Sequence, residues 1–158
     1  MADSSDAEAK LVPDETMGAA YDHDFYSWTL EQARLIRAGK LSALDRENVA
    51  EEIESLGREQ FDKLESALRV LLMHMLKWDH QPERRSRSWA LSIKAQRLRV
   101  ERVLAVNPGL KPRLAEAILH GYRLARIEAA QETSLEENEF PEQCPYDWNV
   151  ITTREFER

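Results

Sequence analysis

Three glutamates fall within four residues of this chain: Glu51, Glu52 and Glu54, in NVAEEIESLG. Carboxylates resist burial, so a cluster of them is a metal site, an acid/base pair or a solvated helix face. At helical pitch Glu47, Glu51, Glu54 and Arg58 share a face turned away from Val49, Ile53 and Leu56. Only Glu52 borders the apolar stripe. The solvated face is the leading reading, with Arg37 and Arg34 of a preceding antiparallel helix as expected partners for Glu47 and Glu51. The metal reading rests on Glu51 and Glu54, an E-x-x-E pair like that of magnesium-dependent all-helical hydrolases. It lacks an E-x-x-D on a partner helix, because Glu59 and Asp62 lie on the same helix as the pair. No Glu-x-x-His of the di-metal bundle type occurs either.

The histidines offer a second chemistry. His74 falls on the core stripe between Leu71 and Trp78. It reads as a neutral core histidine with a lowered pKa, bonded to a backbone carbonyl or to a polar side chain of the third or fourth helix. Arginine, then four to six intervening residues, then histidine is the signature of HEPN-like RNases. Arg69 with His74 and Arg113 with His120 both match it. Two matches are no more than chance supplies to a chain with four histidines and 16 arginines. Arg113 and His120 share a helix face; Arg69 and His74 do not. A third possibility is a polar cluster of Glu52, His74, Gln96 and Arg97, if these converge on one pocket.

The basic run over residues 84–102 holds seven cations and one acid, Glu101. Arg84, Arg85 and Arg87 are the residues that would carry a nucleic acid contact. Trp89 is the only aromatic among them, and a net charge of −7 disfavours a general nucleic-acid binder. Arg99 and Arg102 are expected level with Glu65 and Asp62 across a hairpin.

These side chains are set on helices. The chain has 158 residues, five glycines, six prolines and no alternating strand pattern, which fits one all-α domain over residues 21–158. Residues 1–20 are small and acidic and read as a flexible tail. A first helix is expected over Leu30 to Ala38, capped by Thr29 with Gln32 and stopped by Gly39. A long helix runs from Arg46, capped by Asp45, to about Asp79. Its inward stripe is Val49, Ile53, Leu56, Gln60, Leu64, Ala67, Leu71, His74 and Trp78. It is apolar all round over LRVLLMHMLKW. Gly57 is where this helix would kink or let another backbone approach. Ser86 or Ser88 caps a third helix ending near Val106. A fourth is expected from Leu110 to Glu132, with Leu114, Ala117, Ile118, Gly121, Leu124 and Ala125 inward. The remainder is an arm with one short helix near Asp147 to Ile151.

Seven segments in this order — YDHDFYSWTLEQA, LDRENVAEEIESLG, LLMHMLKW, QPERRSRSW, IKAQR, NPGLK and FPEQCPY — span residues 21–146. In them the chain resembles a bacterial family known as domain of unknown function 29. The resemblance implies an all-helical domain in a bacterial setting and supplies no reaction, cofactor or partner. The single cysteine, Cys144, precludes an intrachain disulfide and fits a reducing cytoplasm. No stretch is apolar enough to span a membrane. The leading function is a non-enzymatic binding or regulatory domain, for a protein partner or a second copy. The alternative is an enzyme, either a HEPN-like RNase or a metal-dependent hydrolase.

Overall fold

The computed structural model describes residues 20–157, and every regular element among them is helical. The expected tail therefore lies outside the described residues except for Ala20, which sits in a helical turn over 20–23.

Helix α1 spans Phe25–Arg37 and begins earlier than Thr29 suggests. Asp24 is its cap, accepting from the Ser27 amide at 2.9 Å. A carboxylate there meets both the unpaired amides and the positive end of the helix dipole. The Thr29 hydroxyl instead donates to the Tyr26 carbonyl, and the Gln32 side chain accepts from the Asp45 amide at 3.0 Å. Gly39 stops the helix in the left-handed conformation, at φ 67°. After a tight turn at Leu41–Ala43, helix α2 runs unbroken over Arg46–His80, about 52 Å at 1.5 Å per residue. Asp45 accepts from both the backbone and side-chain nitrogens of Asn48 at its start. Helix α3 spans Arg87–Val106 with Ser86 as cap. Helix α4 spans Leu114–Thr133, later than expected. Pro108 and Pro112 withhold amides, and Pro112 crowds Lys111, so Pro108–Arg113 stays a tighter turn. Helix α5 is short, Trp148–Thr153, with Asp147 accepting from the Val150 amide.

The chain divides into two compact units at Ser55 and Leu56, inside α2. In the first, Trp28, Gln32 and Leu35 are buried. Tyr21, Phe25 and Trp28 pack ring against ring, and the Trp28 indole donates to Asp45 at 3.1 Å. In the second, Leu64, Leu68, Leu71, Leu72, Met75 and Leu76 are fully buried, as the all-round apolar stretch requires. Around them pack Ile93 and Val100 of α3, Ala117, Tyr122 and Ala125 of α4, and Phe140 and Ile151 of the arm. A stripe buries only where another element covers it. Ile53 and Leu56, expected inward, are 63% and 59% exposed, and Leu124 is 47% exposed.

The close backbone approach is at Gly121 rather than Gly57. A Cβ at Gly121 would lie 3.1 Å from the Glu65 carbonyl oxygen and 3.2 Å from the Arg69 amide nitrogen, whereas one at Gly57 meets nothing within 4 Å. Among the described residues no helix is long and apolar enough to cross a membrane.

Candidate functional site

The opening carboxylates do not form one site. Glu52 accepts the Tyr21 hydroxyl at 2.6 Å, and that bond, with burial and the carboxylate charge, pushes the phenol up to about 12. Glu51 is exposed, and Arg34 is held by Glu31 in a bidentate pair at 2.8 and 2.7 Å rather than by Glu51. Glu54 is exposed too, though not without a partner. Among the described residues no three His, Cys, Asp or Glu side chains gather as a metal ion needs.

His74 is half-buried, and its Nδ1 donates to the Val70 carbonyl at 2.8 Å. The partner is thus the carbonyl one turn earlier in its own helix, not a group from α3 or α4. Burial lowers the imidazole pKa, and the carbonyl bond only partly opposes it.

Arg113 and His120 are brought together around Phe61. The guanidinium lies over that ring at 3.9 Å, and the imidazole meets it edge-on at 6.4 Å. Both are engaged. Arg113 is bidentate with Glu116 at 2.8 and 2.7 Å, and His120 Nδ1 lies 3.3 Å from Glu65. Glu65 therefore serves α4 and not Arg99 of α3 as the hairpin register suggested. Arg85 donates to the Trp78 carbonyl at 2.9 Å and lies over the Trp78 ring, which ties it to the scaffold. Arg84 and Arg87 are exposed.

The cluster of Glu52, His74, Gln96 and Arg97 does not assemble. Glu52 bonds within the first unit. Arg97 turns to the arm, donating to the Ile151 and Val150 carbonyls at 2.7 and 3.3 Å, and its neighbour Gln96 lines a different groove.

Arg97 instead helps build a cleft of about 400 Å³ between α3 and the arm. Its floor is Leu71, Val100, Leu104 and Ile151, and the Trp148 indole, 37% exposed, forms a wall. Arg97, Glu101 and Lys111 supply its charged groups. The arm that closes it is anchored far away in sequence. Arg154 grips Asp79 through two bonds of 2.9 and 2.6 Å, and the Tyr146 hydroxyl donates to the same carboxylate at 2.8 Å. Phe156 packs edge-on against Trp78 at 5.5 Å. Burial pushes the Asp79 carboxyl up, but Arg154 and Tyr146 outweigh it and hold the carboxyl below its ordinary value. Sequence reasoning passed over Asp79, Tyr146 and Arg154. The signal was present in the arm's four large aromatics, Phe140, Tyr146, Trp148 and Phe156, a density that implies a docked segment.

A family model described as "Domain of unknown function DUF29" matches residues 20–157. No curated protein and no solved structure matches the chain.

Proposed function

The chain belongs to the DUF29 family, and we propose that it is a binding or regulatory domain whose ligand site is the cleft between α3 and the C-terminal arm. The observation that carries this reading is the cleft's construction. An apolar floor and an indole wall enclose about 400 Å³, with few charged groups around them. That size falls within the range of about 300–1,000 Å³ that holds small molecules, and apolar walls with few polar groups favour binding with fixed orientation. The fitting occupant is a small molecule with an aromatic or branched aliphatic body and one polar end.

Catalysis at this cleft has less support. None of its lining residues is a histidine or cysteine, and the Thr152 hydroxyl donates to the Trp148 carbonyl. A nucleophile needs a base within reach. The rival pair, Arg113 and His120, does not line this cleft, and each member faces a carboxylate. The lone cysteine suits the reducing cytoplasm in which we place the protein.

A fragment screen read by NMR tests the proposal. Aromatic fragments should shift the resonances of Leu104, Ile151 and the Trp148 indole. Ala105→Trp, at an exposed position of the lining, should abolish those shifts without altering the circular dichroism. Silence at all three residues across the library, or RNA turnover lost in His120→Ala, overturns it.

A further inference from the structure

We propose that a second groove, between α2 and α3 and away from that cleft, binds the phosphate group of a small organic phosphate. Lys63 and Ser66 line it from α2, and Gln96, Arg99 and Arg102 from α3. On each helix the residues stand three apart, so both rows face the same space. The groove holds about 320 Å³, and no carboxylate is among its lining residues. Val100, Leu104 and Arg97 point into the first cleft from the other face of α3, so the two sites are independent.

Two observations favour an anion. The first is charge left over. Elsewhere in this unit Arg69, Lys77, Arg113, Arg126 and Arg154 each pair with a carboxylate; cations such as Arg84, Arg87, Lys94 and Arg123 do not, but none of those lines this groove. Among the described residues Lys63, Arg99 and Arg102 have no such partner within ion-pair distance, although the chain as a whole is acidic. The second is Gln96. Its side chain is mostly buried, at 7% exposed overall, and its amide makes no hydrogen bond within the protein. No side-chain nitrogen or oxygen among the described residues is both buried and unbonded, so the polar end of Gln96 meets solvent in the basic groove, where it can donate to an anion.

The donor set selects among anions. A carboxylate is satisfied by a single arginine fork. Three cations, a hydroxyl and an amide match the three oxygens and near-double charge of a phosphate monoester. Ala67, Val70 and Val103 add an apolar side, which contacts an organic substituent that free phosphate lacks. Three unpaired cations are too few to track a polynucleotide backbone in a chain of net charge −7.

Titrations of the full chain with phenyl phosphate, inorganic phosphate, benzoate and single-stranded RNA, read by NMR, test this. Phenyl phosphate should saturate shifts of the Gln96 side-chain amide and the Ser66 backbone amide, leaving the Trp148 indole unmoved. Its affinity should fall with added salt. Arg99→Gln with Arg102→Gln, both at exposed positions, should weaken it at least tenfold at an unchanged melting temperature. Gln96→Leu should weaken it while keeping the fold. Inorganic phosphate should act at the same residues with lower affinity; equal affinity would identify free phosphate as the ligand and still uphold the phosphate site. Benzoate binding as tightly as phenyl phosphate, RNA alone binding, or no shift at Gln96 overturns the proposal.

Discussion

Replacing glycine by alanine at two positions of this protein should give opposite signs. At Gly57, inside the unbroken α2, an added methyl meets nothing within 4 Å. The change removes only glycine's backbone freedom, which stabilises by about 0.5–1 kcal/mol. At Gly121, inside α4, the same helical gain applies. There the methyl would stand 3.1 Å from the Glu65 carbonyl oxygen and 3.2 Å from the Arg69 amide nitrogen, both on the α2 backbone. A helix backbone cannot rotate aside as a side chain can, so α4 must move by a few tenths of an ångström. That strains the Glu65–His120 and Arg69–Glu128 contacts that bracket the crossing. Overpacking of this kind costs about 1–3 kcal/mol, which leaves a net loss of roughly 0–2.5 kcal/mol after the helical gain. Urea unfolding followed by circular dichroism at 222 nm reads both variants. In thermal melts each kcal/mol corresponds to about 2–4 °C for a chain of this length. If Gly121→Ala stabilises as much as Gly57→Ala, the backbone crossing does not set the spacing of α2 and α4. If Gly57→Ala destabilises, α2 is not a continuous helix at that point.

Leu71 is fully buried at the centre of α2, so Leu71→Ala should cost about 2–5 kcal/mol in urea titration, and a loss below about 0.5 kcal/mol would contradict its place in the core. His74 has a folded pKa below its ordinary value of about 6.5, so the unfolded chain takes up the proton first. Its contribution to stability is complete above that pH and declines as pH falls through 6.5 toward the folded value. Histidine NMR should find it titrating below the ordinary imidazole value, and an ordinary value with exchange-accessible nitrogens would refute its burial. Asp79 is depressed in the same sense, so its stabilisation is present above about pH 4 and is lost as pH falls below that. Arg154→Met should cost about 1–2 kcal/mol for this half-exposed pair, bring acid unfolding to a higher pH and loosen Trp148, seen as fluorescence change; an unchanged acid midpoint would argue against the anchor.

The sequence determined what depends on neighbours within one or two turns. The helical class, the Gly39 stop, the Asp45 cap and the fully apolar centre of α2 all follow from hydrogen bonds and periodicity inside a short window. The local signals that misled were also short-range: Thr29 offered a cap that Asp24 makes better, and Leu110 opened an apolar pattern that Pro112 delays. Tertiary structure decided everything that requires a partner from another element. Gly57 and Gly121 are both helical glycines, and only the crossing of α2 over α4 distinguishes them. Ile53 and Leu56 have the right phase for a core, yet phase alone cannot provide the element that would cover them. Arg97 and Arg99 lie two residues apart in one basic run. Arg97 meets two carbonyls within the arm's short helix, more than 50 residues later, while Arg99 stays without a carboxylate. Neutralisation of a charge falls off within a few ångströms, so it is fixed by which helix arrives opposite, and that is set by the packing of apolar faces rather than by the charges.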